Sequence, residues 1–182
     1  MKYANPIIVF VDVQEKLTQV MHNQDELVPQ LEKLLKGAQI LDVPVLWLEQ
    51  YPQGLGETVG SLKEILVAGG YSPIIKNCFS AMGSAEFRRA LVESGADHVL
   101  LAGIESHVCV FQTARDLLLE ENDVTVDVVV DCVSSRTKEN KEIGIDRMVG
   151  YGAGVTSLES LLFELLETAE HPKFKEISRL IK

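Results

Sequence analysis

The chain is short of cysteine, proline and aromatics, and it has no long apolar run; each shortage removes a class of protein. Three cysteines in 182 residues, Cys78, Cys109 and Cys132, are an odd number at wide spacing. No CxxC pair and no Cys/His spacing of metal-ligand type occurs, so neither a disulfide framework nor a zinc site is indicated, and a reducing cytoplasm fits best. Six prolines and 13 glycines are too few for a low-complexity chain. The apolar runs are far too short to span a bilayer, so no membrane partner is expected. Lys and Arg number 17 against 27 Asp and Glu, a net charge of −10, which argues against nucleic acid or an anionic membrane as partner. No signal or transit segment is expected ahead of the first apolar run, and residues 179–182 carry no lipidation or retention signal.

What is there reads as one domain over residues 1–182, with 46% hydrophobic content supplying a core that needs no staples. Short runs rich in Val, Ile and Leu alternate with stretches of helical period. Strands are expected at 7–13, 43–48, 73–76, 99–103, 124–131 and 153–156. Helices are expected near 26–41 (with Asp25 as N-cap), 61–68, 85–94, 106–121, 139–149 and 158–169, and residues 50–56 read as a Gly/Pro-rich loop. In the tail, Phe174, Ile177 and Ile181 at helical spacing predict a last helix docked on the surface or on a neighbouring subunit. Continuous apolar strands between amphipathic helices imply a three-layer α/β/α sandwich with a mostly parallel, doubly wound, Rossmann-like sheet of about six strands. No internal repeat or linker divides it.

In such folds ligands bind beyond the carboxyl ends of the strands, where strand order reverses. Three reactive residues fall there. Asp12 is the first charged group after Ile7-Ile8-Val9-Phe10-Val11, Lys76 closes Pro73-Ile74-Ile75, and Cys109 opens the helix after the fourth strand. A thiol in a first helical turn faces unpaired N–H groups and the positive end of the helix dipole, which favour thiolate. A carboxylate can accept the thiol proton and an ammonium can steady the anion. Each also has an ordinary reading: Asp12 a turn cap, Lys76 a solvated strand end, Cys109 a core residue.

A resemblance adds to this. Val11-Asp12-Val13-Gln14, Lys76-Asn77-Cys78-Phe79-Ser80-Ala81-Met82 and Gly103-Ile104-Glu105-Ser106-His107-Val108-Cys109-Val110-Phe111-Gln112-Thr113-Ala114 resemble, in order and spacing, the signature blocks of the isochorismatase-like cysteine hydrolases. Glu49-Gln50-Tyr51-Pro52-Gln53-Gly54-Leu55-Gly56, Asp131-Cys132-Val133-Ser134-Ser135-Arg136 and His171-Pro172-Lys173-Phe174-Lys175-Glu176-Ile177 resemble its isochorismatase domain-containing branch. The resemblance implies a catalytic triad of Asp12, Lys76 and Cys109, a cis peptide bond at Ile104–Glu105, and an oxyanion hole from the N–H groups of Glu105 and Cys109. It also implies a homo-oligomer.

Two departures narrow the activity. The nicotinamidases of that superfamily carry an Asp/His metal cluster after the second strand. Here the segment reads Glu49-Gln50-Tyr51-Pro52, with no histidine between it and His98, so no metal and no other cofactor is expected. Ether-cleaving members can lack the cysteine, whereas this chain keeps Cys109. The expected activity is therefore metal-independent hydrolysis of a small amide, carbamoyl or related C–N substrate through a thioester-type intermediate. Ether hydrolysis without covalent catalysis, and a non-enzymatic binding or scaffold role, are the alternatives.

Other residues stay open. Gln14, Glu49, Gln50, Tyr51 and Phe79 are candidate substrate contacts, against polar-loop or core readings. His107 as base would have to face the sulfur, and positions two apart on a helix diverge, so Asp12 is preferred. Ser134-Ser135-Arg136 either grips an anionic substrate or caps the next helix or meets a neighbouring subunit. Tyr151-Gly152-Ala153-Gly154 lacks the full dinucleotide pattern and reads as a loop. Cys78 and Cys132 read as packing residues.

Overall fold

The computed structural model describes residues 3–120 and 124–182. Its centre is a six-stranded sheet in the order β3-β2-β1-β4-β5-β6, every adjacent pair parallel. The strands are β1 (Pro6–Val11), β2 (Val45–Gln50), β3 (Ile74–Lys76), β4 (His98–Ile104), β5 (Thr125–Ser134) and β6 (Gly154–Thr156). The helices are α1 (Glu15–Thr18), α2 (Gln24–Ile40), α3 (Pro52–Leu55), α4 (Gly60–Ala68), α5 (Ala85–Ser94), α6 (Phe111–Glu120), α7 (Lys138–Gly150), α8 (Leu158–Leu166) and α9 (Phe174–Leu180).

The alternation of side chains along each strand builds two cores. Ile8 and Phe10 of β1 pack with Leu31, Leu34 and Leu35 of α2, Leu62 of α4, Leu161 and Leu162 of α8 and Ile177 of α9. Ile7, Val9 and Val11 pack on the other face with Phe87 and Leu91 of α5, Phe111 and Leu117 of α6 and Met148 of α7. Burial of both faces is why the strands read as unbroken apolar runs. The last helix docks on this chain, where Ile177 is fully buried among the α2 side of the core.

Several boundaries differ from expectation, for local reasons. α2 starts two residues early, so its N-cap is Asn23, in left-handed conformation, rather than Asp25. The 50–56 loop contains the helical turn α3, with Pro52 in its first turn. β5 runs on to Ser134, and β6 starts at Gly154, one residue later than expected. The helix expected from Ser106 opens with a π-helical turn, Ser106–Val110, before α6, and its expected end at Glu121 lies outside the described residues. α8 stops at Leu166, where Glu167 turns left-handed. No helix of the described residues is long and apolar enough to cross a membrane.

The chain leaves β1 for β2 and β3 on one side, then returns to β4 on the other. The carboxyl ends of β1 and β4 therefore flank the reversal of strand order, the place where ligands bind in open α/β sheets. Gly103 permits the two ends to close: it takes φ +116°, and a side chain there would collide with the backbone of Val11.

Candidate active site

Asp12 follows β1 directly and adopts a left-handed backbone (φ 53°), which Asp tolerates better than most residues and which turns the chain off the sheet. The residue is fully buried. Lys76 lies two strands away at the end of β3, and its side chain crosses the end of β2 to place Nζ 2.6 Å from Asp12 Oδ2. On the way it donates to Gln50 Oε1 at 2.7 Å, because Gln50 and Lys76 are register partners across β2 and β3. The backbone carbonyls of Cys78 and Phe79 lie at 3.3 and 3.2 Å from the same nitrogen. This is a buried ion pair whose polar atoms are satisfied almost throughout, which is what lets two charges persist away from water.

The exception is Asp12 Oδ1. Among the described residues it is the buried side-chain polar atom that makes no hydrogen bond. The thiol of Cys109 interacts with that carboxyl, lowering the Asp12 pKa while its own is raised. Cys109 is 7% exposed and sits fourth in the π-helical turn after β4. In that turn the N–H groups of Val108 and Val110 both donate to Glu105 O, at 3.0 and 3.2 Å. The peptide bond Ile104–Glu105 that leads into it is cis. Backbone packing fixes the turn from outside. A Cβ on Gly144 of α7 would stand 2.5 Å from Ser106 C and 2.7 Å from His107 N, so only glycine admits this approach. Ser106 Oγ donates to Ser134 O at 2.9 Å and fastens the same turn to the end of β5.

Electrostatics here depart from the helix-dipole expectation. Burial raises the Asp12 pKa above the ordinary carboxylate value, although Lys76 and then the thiol pull it down. Burial likewise raises the Cys109 thiol well above its usual range, the Asp12 charge adds to this, and Lys76 opposes it. Burial thus favours the protonated thiol over a preformed thiolate. What the arrangement provides is a proton acceptor of raised basicity at the sulfur.

A family model described as the Isochorismatase domain matches residues 6–160. The chain belongs to the isochorismatase family of hydrolases. Mouse isochorismatase domain-containing protein 2A is 39% identical over 176 residues, covering 97% of this chain and 82% of the relative. A Caenorhabditis elegans structure described as MAR1 ribonuclease superposes with a TM-score of 0.88 at 39% identity, over 97% of this chain and 89% of the other. Escherichia coli YcaC, described as an octameric hydrolase of unknown specificity, shares the fold with a TM-score of 0.90 at 20% identity, over 97% and 86% of the two chains.

Within this family member the structure brings Asp12, Lys76 and Cys109 together and distributes the other candidates differently. Gln14 is fully buried and holds the α3 loop: its Nε2 donates to Gln50 O and Gly56 O, and its Oε1 accepts from Gln50 N. Glu49 Oε1 accepts from both the N–H and the hydroxyl of Thr58 at 2.8 Å. Tyr51 and Phe79 are instead 52% and 55% exposed, on segments whose backbones bond Lys76. His107 Nδ1 lies 3.0 Å from Ser135 Oγ. Arg136 donates from Nε to Glu105 Oε2 at 3.1 Å, and Thr137, not the Ser-Ser pair, caps α7. Cys132 is fully buried, whereas Cys78 is half-buried. Among the described residues no group of three His, Cys, Asp or Glu is arranged to hold a metal ion.

Sequence reasoning missed the role of one contributor and passed over another. Gln50 reads from the sequence as one of three polar pocket candidates at the end of β2, and only the register with β3 singles it out as the Lys76 partner. Gly144 lies in the middle of a helix, where a glycine is unfavourable; that misplacement was the available signal.

Proposed function

We propose that this protein is a cysteine hydrolase acting on a small amide, carbamoyl or related C–N substrate through a covalent thioester. The observation that carries the reading is the buried Asp12 carboxyl, which interacts with the Cys109 thiol, has Oδ2 fixed by Lys76 and leaves Oδ1 without a hydrogen bond. Asp12 takes the thiol proton as sulfur attacks the carbonyl carbon. The tetrahedral oxyanion settles on the N–H groups of Glu105 and Cys109, donors of a kind typically worth about 3 kcal/mol of barrier. The protonated Asp12 then delivers its proton to the departing nitrogen as the C–N bond breaks. A water molecule, deprotonated by Asp12, attacks the thioester; acid is released and the thiol recovers its proton. Lys76 keeps the carboxylate oriented and balances the charge that passes between sulfur and oxygen. Each step has a protein group to perform it, so the route calls for no metal.

The test combines turnover and trapping. Across a panel of small amides and ureas, the native protein forms a Cys109 acyl adduct visible by intact mass, and Cys109→Ala abolishes turnover without unfolding. Turnover retained in that variant rules out covalent catalysis and favours the ether-type chemistry in which Asp12 alone acts. A folded native protein that is inert toward the panel supports the scaffold reading. RNA belongs in the same panel because the worm relative is described as a ribonuclease. A net charge of −10 leads us to expect no cleavage. Self-association in solution is expected as well, checked by light scattering.

A further inference from the structure

We propose that the site selects uncharged or cationic small amides over those bearing a carboxylate, with the Glu105–Arg136 ion pair as the discriminating element. The inference rests on the hydrolase reading above and names its substrate class. A lysine ammonium has three hydrogens to donate. Lys76 Nζ already has four oxygen acceptors within 3.3 Å, from Asp12, Gln50, Cys78 and Phe79, and its side chain is wholly buried. It has nothing left to offer a substrate anion.

The other basic side chains near the Cys109 turn are also committed. Arg136 donates to Glu105 Oε2 from both Nε and its backbone N, at 3.1 and 3.3 Å. His107 Nδ1 is engaged by Ser135 Oγ. The anionic side is stronger. The Glu105 carboxylate reaches Cys109 electrostatically alongside Asp12, and Glu49 acts on Asp12 in the same sense. An entering carboxylate would meet three acidic groups, against one saturated cation and one neutralised cation. Glu105 thus does two things: its backbone N–H faces the reacting carbonyl in the mechanism above, and its side chain cancels the guanidinium that would otherwise attract anions.

Charge selection at Cys109 is read with two alkylating agents of nearly the same size, neutral iodoacetamide and anionic iodoacetate. Rates at Cys109 are resolved by peptide mass and divided by those of the uncharged small thiol 2-mercaptoethanol at equal ionic strength. One net negative charge about 8 Å away in a medium of effective dielectric ~20 predicts a preference for iodoacetamide roughly 30-fold greater than that of 2-mercaptoethanol. Glu105→Gln releases Arg136 and raises the iodoacetate rate, narrowing the preference. Arg136→Gln, at a side chain 59% exposed, widens it and serves if the first variant does not fold.

A preference within about twofold of that shown by 2-mercaptoethanol, or faster iodoacetate, overturns the proposal. Strong preference without turnover of any amide upholds charge selection and removes the hydrolase reading. A carboxylate-bearing amide turned over as fast as its neutral isostere, through a Cys109 adduct, does the reverse. Failure of both reagents to modify Cys109 overturns the two together.

Discussion

Replacing Asp12 with Asn removes the charge and the base while keeping the shape, so it separates what this carboxylate does for stability from what it does for chemistry. In the wild type both side chains of the Asp12–Lys76 pair are fully buried and 2.6 Å apart. Breaking such a pair from one side typically costs about 3–5 kcal/mol, since a buried charge is left uncompensated. Lys76 keeps Gln50 Oε1 and two backbone carbonyls as acceptors, and burial already disfavours the charged carboxylate, so Asp12→Asn should fall below that range, at about 1 kcal/mol or less. For a domain of this size that is a fall in Tm of no more than roughly 2–4 °C by calorimetry. Turnover should fall about 1,000-fold, within the range for losing a general base. The thiol moves the opposite way. Asp12 raises the Cys109 pKa and Lys76 lowers it, so removing the first and keeping the second makes the sulfur more acidic. The midpoint of the pH–alkylation curve at Cys109 therefore shifts down in a variant that is catalytically dead. The double substitution Asp12→Leu with Lys76→Met removes both charges and should be more stable than Asp12→Asn while remaining inactive. An upward shift of the alkylation midpoint, or turnover within tenfold of wild type, refutes the assignment of Asp12 as the base.

Two further perturbations test the same construction from other directions. Burial raises the Asp12 pKa, so kcat/KM should fall on acidification through a pKa above the ordinary 3.8, where the base becomes protonated. A raised carboxyl pKa contributes most to stability below its unfolded value and loses that contribution as pH rises through the folded one, so Asp12 does not drive acid unfolding. The acid limb of activity should therefore appear while the Tm is still unchanged, and a limb that coincides with unfolding contradicts this. Gly144→Ala would ordinarily favour a helix, yet here the new Cβ meets Ser106 and His107 backbone; it should destabilise by about 1–3 kcal/mol and lower kcat roughly tenfold. Gly150→Ala in the same helix meets nothing within 4 Å and is the control; equal effects from the two would remove Gly144 as a support of the nucleophile turn.

The layers, the strand order of reactive residues and the position of the site were legible because each rests on a short-range pattern. Apolar runs such as residues 7–11 could only be strands buried on both faces, and a charged residue at the end of such a run has nowhere to go but the crevice. The candidates that scattered depended on information one residue finer. Glu49 and Gln50 are neighbours of similar polarity, and alternation along β2 sends one to Thr58 and the other to Lys76. Gln14 reads as a polar residue beside the triad, but its amide closes the loop at Gln50 and Gly56, contacts made 36 and 42 residues away.

The acidity of Cys109 shows the limit most clearly. Its place near the start of a helix predicts a stabilised thiolate, and that local argument concerns a dipole worth about 1 kcal/mol or less at ordinary sites. The fold adds burial and the Asp12 charge, both opposed to that effect, and neither is visible in the window around residue 109. The reversal also clarifies the chemistry. A thiolate held ready would need its charge balanced in the resting enzyme, and Lys76 would have to serve sulfur. Lys76 is instead fully engaged with Asp12, Gln50 and two carbonyls, leaving one carboxyl oxygen of Asp12 without a hydrogen bond. In the proposed route such a site moves the proton as sulfur bonds to carbon. The resting cysteine should therefore alkylate measurably but more slowly than a preformed thiolate would, and its reactivity depends on what is bound beside it.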